Sequence, residues 1–244
     1  MLRFESNGPH RHRRVTLTDC QLQSRRAFLR AELRGARRAV PAPQRRRAAH
    51  HVALLAARAL PLWHACRIGV YAALPEELDT HALIALARRQ GARLYLPRIA
   101  DRGARCALQF VPMGPRTRRN RFGIAEPRGP ALPDVCALHI IFLPLVGFDR
   151  RGTRLGMGGG YYDRTLAVCR SRGHRPLLVG LAFSLQQRAY IARAAHDVPL
   201  DMVITERGII RCTHPVRMPC GNAQTAYMRD ESVHALRRRT NPQR

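Results

Sequence analysis

Between His139 and Arg164 the chain passes from "HIIFLPL" into "RLGMGGGYYDR", and this passage limits the available folds most sharply. Residues 139–145 are near-continuously apolar, the pattern of a strand buried on both faces. Such a strand needs covering layers on either side, so the expected fold is a three-layer αβα domain with a mostly parallel sheet. The rest of the chain supplies alternating partners. Apolar spacing with arginines on the remaining faces predicts a helix over 21–38, and a second follows Pro41 and Pro43 to about Leu60. "RIGVYAA" (67–73) reads as a strand, and Asp79 or Thr80 can cap a helix that runs through Arg89 to a stop at Gly91. "RLYLP" (93–97) is the next strand. "ALQFVPM" (107–113) belongs at an edge or in a hairpin because Pro112 cannot donate to a ladder. A helix over about 160–171 and strands at 176–183 and 202–206 complete the set.

Four of the five residues 156–160 are glycine, a costly composition unless something needs the bare backbone. The cluster lies between a buried strand and a helix, where α/β sheets bind ligands. It fails the dinucleotide pattern, which needs glycine where Tyr161 stands, and the P-loop, which needs a lysine. The physics of those motifs is nevertheless present. Glycine N–H groups can approach an anion, a helix start follows, and Arg154 and Arg164 offer bidentate geometry to phosphate oxygens. Asp163 then stands where it could hold Mg²⁺ against those oxygens. The competing reading is a turn that packs two tyrosines over the sheet.

The formal net charge is +27, yet all 43 basic residues are arginine and none is lysine. Selection for phosphate contact does not exclude lysine, so this looks like a bias spread over the whole chain. It implies salt-sensitive, non-specific association rather than a particular fold. Seven cysteines without a CxxC pair argue for free thiols in a reducing compartment; Cys212, His214 and Cys220 lack a fourth metal ligand. The N-terminus has no apolar signal core, and 135–148 is too short to span a bilayer, so a cytoplasmic protein is expected. Residues 1–19 and 207–244 read as basic tails, the latter mobile, around a domain at 20–206.

"LPLVGFDRRGTRLGMGGGYYDR" (143–164) closely resembles the signature of the 5-formyltetrahydrofolate cyclo-ligase family, also called methenyltetrahydrofolate synthetases. "SRRAFLRAEL" (24–33), "YAALPEELDT" (71–80), "YLPRI" (95–99), "FGIAEP" (122–127) and "HDVPLD" (196–201) are similar to further family blocks in the same order. The resemblance implies a sheet of the sugar-phosphate isomerase and CoA-transferase type. It also implies ATP-dependent closure of 5-formyltetrahydrofolate to 5,10-methenyltetrahydrofolate, with release of ADP and phosphate. The formamide oxygen would be phosphorylated so that it can leave.

By the same resemblance, Arg154 and Tyr161 belong to catalysis, and Arg26, Arg30 and the run Arg154, Leu155, Gly156, Met157, Gly158, Gly159, Gly160, Tyr161 and Tyr162 hold ATP. Ala72 and Glu77, with Met157 to Tyr161, contact the folate, and Asp163 with Asp197 holds Mg²⁺. Read from the residues alone, Glu77 could be a helix-start acid, Asp197 a turn residue ahead of Pro199, and one of the two tyrosines a core aromatic. Arg26 stands where the family usually has lysine, and Arg25 could shift that register by one. A monomer with a folate substrate, no membrane span and no specific nucleic-acid partner is expected. The alternative is a basic RNA-associated protein with a degenerate core, motivated by arginine clusters at 45–47, 116–121 and 237–239, although these are not interleaved with aromatics.

Overall fold

The computed structural model describes residues 19–60, 66–100, 107–169 and 175–213. In chain order the first half contains α1 (Asp19–Arg38), α2 (Ala42–Ala59), β1 (Arg67–Gly69), α3 (His81–Arg89), β2 (Arg93–Ile99), β3 (Leu108–Pro112), β4 (Thr117–Arg119) and β5 (Ala125–Pro127). The second half contains β6 (Ile140–Pro144), β7 (Gly147–Phe148), β8 (Arg154–Leu155), α4 (Tyr161–Leu166), β9 (Leu177–Leu181), β10 (Met202–Thr205) and β11 (Gly208–Arg211).

Seven strands form one sheet in the order β11-β10-β9-β6-β1-β2-β3. The five inner strands pair in parallel, and β3 and β11 close the edges antiparallel. β6 is central, with Ile140 opposite Ile68 on one side and Leu177 on the other. Its successive residues feed two different cores. Ile140 and Phe142 join α2 and α3, while Ile141 and Leu143 pack with Tyr95, Phe110 and Leu166 on the opposite face. Each such fully buried aliphatic or aromatic side chain contributes roughly 1.5–3 kcal/mol, which explains the unbroken apolar run. The fold is therefore the expected α/β arrangement with a mostly parallel sheet.

Several elements differ from the sequence reading. β1 is only three residues long, and Val70 to Ala73 lead outside any strand or helix to the turn at 74–77. Thr80 spends its hydroxyl on the Tyr71 carbonyl, so the open end of α3 is served by Asp79, whose Oδ1 accepts the His81 N–H at 2.8 Å. α4 ends at Leu166 and tightens into a 3₁₀ turn at Ala167–Cys169, which leaves only a short helix dipole behind the glycine cluster. Beyond the expected boundary at 207, β11 pairs Ile209 and Ile210 with Ile204 and Val203, and Cys212 is buried. Both expected tails otherwise lie outside the described residues. Among the described residues no helix is long and apolar enough to cross a membrane.

α1 docks away from the two main cores. Its Leu33 packs with Val146, Leu155 and Ile191 over the β7–β8 hairpin. A methyl group on Gly147 would lie 2.6 Å from Leu33 Cδ1, so only glycine permits this approach. The contact fixes where the arginines of α1 point.

Candidate active site

Arg26, Arg30, Arg34 and Arg37 recur at helical spacing along α1 and so share one face. That face is no solvated stripe. Arg26 Nη1 donates to Asp197 Oδ2 at 2.5 Å, and Arg30 Nε donates to the Gly156 carbonyl at 2.9 Å. Arg34 and Arg37 reach Glu76 at 3.1 and 2.6 Å, joined by Arg38 at 2.6 Å. Arg37 is fully buried and also donates to the Leu145 carbonyl. One helix face thus ties together the 192–197 segment, the glycine loop and the 74–77 turn. Arg25 is exposed, and Arg26 is the residue turned inward.

The hairpin that delivers the loop is built around Asp149, which is completely buried and accepts the N–H groups of Arg151, Thr153 and Ile191. Beyond β8 the backbone turns left-handed at Gly158 (φ 103°) and Gly160 (φ 64°). The Gly156 carbonyl is held by Arg30 and the Gly159 carbonyl by Arg164. No N–H group from Gly156 to Gly160 has an acceptor among the described residues, and Met157, Gly158 and Gly159 are exposed. Carbonyls engaged by arginine and N–H groups left open suit this backbone to an anion.

Arg154, nearly buried, donates to the Val198 carbonyl and, at 2.5 Å, to Asp163 Oδ1. Burial pulls its pKa down, while Asp163 and Asp197 work to keep it protonated. Asp197 is pushed up by burial, but hydrogen bonds from Arg26 and the Ala194 N–H outweigh this and hold it below its usual range. A depression lined by Arg193, Ala194, Ala195, Asp197 and Pro199 opens beside it.

Directly after the loop, at the start of α4, Tyr161 and Tyr162 diverge. Tyr161 stays partly exposed, and its hydroxyl accepts from Arg121 Nη2 at 2.9 Å. Tyr162 packs on the apolar core, and its pKa is raised by burial and by the Glu77 charge. Glu77 is buried, with Oε2 accepting the Leu74 N–H at 3.0 Å. Burial raises the Glu77 pKa, and the second carboxylate oxygen has no partner among the described residues. Ala72 sits partly buried beside this turn. The Leu155 side chain faces α1 in the hydrophobic core, so only its backbone is available to a ligand.

The structure therefore gathers Arg26, Arg30, Arg154, Asp163 and Asp197 around the glycine loop, and Tyr162 lies within electrostatic reach of both Arg154 and Glu77. Among the described residues no group of three or more His, Cys, Asp or Glu side chains could hold a metal ion; Asp163 offers a divalent cation one oxygen, since Oδ1 is engaged by Arg154 and the Val198 N–H and no described residue takes Oδ2. Asp197 has both oxygens engaged by Arg26, so it could ligate a metal only if the arginine released it. The sequence reading missed Arg37, Glu76 and Arg121. The i, i+4 arginine series was the available signal, but the same spacing also describes an exposed helix face.

The whole core matches the model of the 5-formyltetrahydrofolate cyclo-ligase family over residues 22–206. The chain is 36% identical over 181 residues to the 5-formyltetrahydrofolate cyclo-ligase of Haemophilus influenzae, covering 72% of this chain and 95% of the relative. It is 30% identical over 194 residues to the mouse 5-formyltetrahydrofolate cyclo-ligase, covering 76% and 95% respectively. In three dimensions it resembles the 5,10-methenyltetrahydrofolate synthetase of Aquifex aeolicus, with a TM-score of 0.65 and 27% identity over 83% of this chain and 99% of that one.

Proposed function

The chain belongs to the 5-formyltetrahydrofolate cyclo-ligase family, and we propose that it closes 5-formyltetrahydrofolate to 5,10-methenyltetrahydrofolate at the expense of ATP. The observation that carries the reading is the set of unpartnered N–H groups at 156–160, ringed by arginines whose charge suits a polyphosphate. When bound, MgATP supplies the phosphoryl group that turns a formamide oxygen into a leaving group. The protein's task is then to position the reactants and neutralise charge.

Arg30 and Arg164 hold the loop open by binding its carbonyls. Arg26 supplies further positive charge, oriented by Asp197. Arg154 lies where burial strengthens its field, and Asp163 keeps its guanidinium aimed. Asp163 Oδ2 is the oxygen we assign to Mg²⁺. Glu77 is poised for the other substrate: a desolvated carboxyl with one free oxygen can accept N–H groups from the polar edge of a reduced pterin. Tyr162 lies within reach of the charges of both Glu77 and Arg154, and the half-exposed Tyr161 hydroxyl is held by Arg121.

Isotope transfer tests the reading. With ¹⁸O in the formyl group, the released inorganic phosphate should carry the label. Unlabelled phosphate alongside methenyl product would show that the oxygen leaves by another route.

A further inference from the structure

Two buried thiols meet just before β6 begins, and nothing in the site so far described uses them. Cys136 lies in the 3₁₀ turn Val135–Ala137, which leads through Leu138 and His139 into β6. Cys169 closes the 3₁₀ turn that ends α4. Both are almost fully buried, and their Sγ atoms lie 2.7 Å apart. The turns are held in place: Asp134 Oδ1 accepts the Cys136 N–H at 2.9 Å, and Leu138 and Leu166 join the same core. A disulfide bond is about 2.05 Å long, so the sulfurs need to close by less than about an ångström.

The other described cysteines are placed differently. Burial pushes the Cys66 thiol up to about 11 and the Cys212 thiol up to about 12, which makes both poor nucleophiles, and Cys20 is exposed on α1. Cys169 lines a cavity of about 200 Å³ with Arg175, Leu178, Val198 and Pro199, enough room for several water-sized molecules. Both guanidinium nitrogens of Arg175 are engaged by Asp201, and its charge is within electrostatic reach of Cys169. Residues 136 and 169 stand 33 positions apart, and the chain between them carries β6, Arg154, the glycine loop and Asp163.

We propose that Cys136 and Cys169 are a dithiol pair that a peroxide oxidises to a disulfide, stapling the approach to β6 to the end of α4 and so stabilising the segment that carries the glycine loop. The Cys169 sulfur attacks one peroxide oxygen, the O–O bond breaks, and the other oxygen leaves as water with the thiol proton, giving a sulfenic acid. The Cys136 sulfur then attacks the sulfenic sulfur, the S–O bond breaks, and the hydroxyl leaves as a second water with the Cys136 proton. Two thiols and one peroxide give one disulfide and two waters. In a reducing compartment the dithiol is the resting form, and thiol exchange reverses the bond. Because the sulfurs already touch, the bond leaves α4 where it is. Its main effect falls on the unfolded chain, whose freedom the closed ring restricts.

The test treats the fully reduced chain with equimolar hydrogen peroxide. Its intact mass should fall by two hydrogens, and peptide mapping without reductant should join the Cys136 and Cys169 peptides. Tm should rise by about 10 °C and return to its starting value with dithiothreitol. C136A and C169A should lose both effects, and C20A should keep them. Should either of the first two variants fail to fold, mapping and melting of the native protein still decide. An unchanged mass, a sulfinic acid at Cys169 beside a Cys136 thiol, a bond from either residue to another cysteine, or a linked protein that melts no higher than the reduced one overturns the proposal. None of these readouts involves turnover, so the outcome is independent of the cyclo-ligase reading.

Discussion

Arg154 Nη2 lies 2.5 Å from Asp163 Oδ1, and the same oxygen accepts the Val198 N–H at 3.0 Å. This joins the strand before the glycine loop, the helix after it and the 196–201 segment. Asp163→Asn keeps the shape but removes the charge that Arg154 and a cation both need. Its kcat should fall by about 100-fold or more, the scale of losing a main electrostatic contributor. Circular dichroism should stay native. Wild-type turnover in the variant would take Asp163 out of the site.

The loop geometry gives a second expectation. Gly158 has φ 103°, a conformation that an L side chain resists, although a methyl group there would meet nothing closer than 3.7 Å. Gly158→Ala should cost about 1–2 kcal/mol in stability through backbone strain alone. The KM for ATP should rise much more than the KM for folate, as steady-state kinetics with each substrate varied will show.

Glu77 trades stability for binding. Its pKa is higher in the folded protein than in the unfolded chain, so folding takes up a proton there, and the stability present below the unfolded value is lost as pH rises through the folded one. Glu77→Gln should therefore raise Tm at pH 7 and have less effect at pH 4. The folate KM should rise by about tenfold, the scale of one lost charged hydrogen bond. A variant that binds folate normally would leave Glu77 a merely structural acid.

Glu76 works in the opposite direction. Burial raises its pKa, but hydrogen bonds from Arg38, Arg37 and Arg34 bring it down to about 2. Its contribution is complete above the unfolded value and is lost as pH falls through about 2. Glu76→Gln should destabilise by about 3 kcal/mol at neutral pH, because Arg37 is left buried without its counter-charge. Denaturant melts at pH 7 and pH 2.5 measure the difference, which should narrow at the lower pH.

The sheet was legible because parallel strands bury both faces and so appear as unbroken apolar runs, as at 139–145. β11 was not: its residues are alternately partly buried and exposed, and Gly208 to Arg211 lead straight into basic chain. The glycine loop could be read locally, since four glycines in five positions have few other uses. The arginine face of α1 could not. Arg34, Arg37 and Arg38 find Glu76 about forty residues away, and only the packing of Leu33 on the hairpin decides which side of the helix turns inward. Asp197 shows the same limit. "HDVPLD" by itself reads as a turn and gains weight only through the family resemblance, and the guanidinium partner of Asp197 comes from the opposite end of the domain.

The central claim is that one loop brings a triphosphate and a reduced folate together. It is tested most directly by following the near-ultraviolet absorbance of the methenyl product with enzyme, 5-formyltetrahydrofolate and MgATP, each omitted in turn. Absorbance should rise only in the complete mixture. The same rise without ATP would contradict the account.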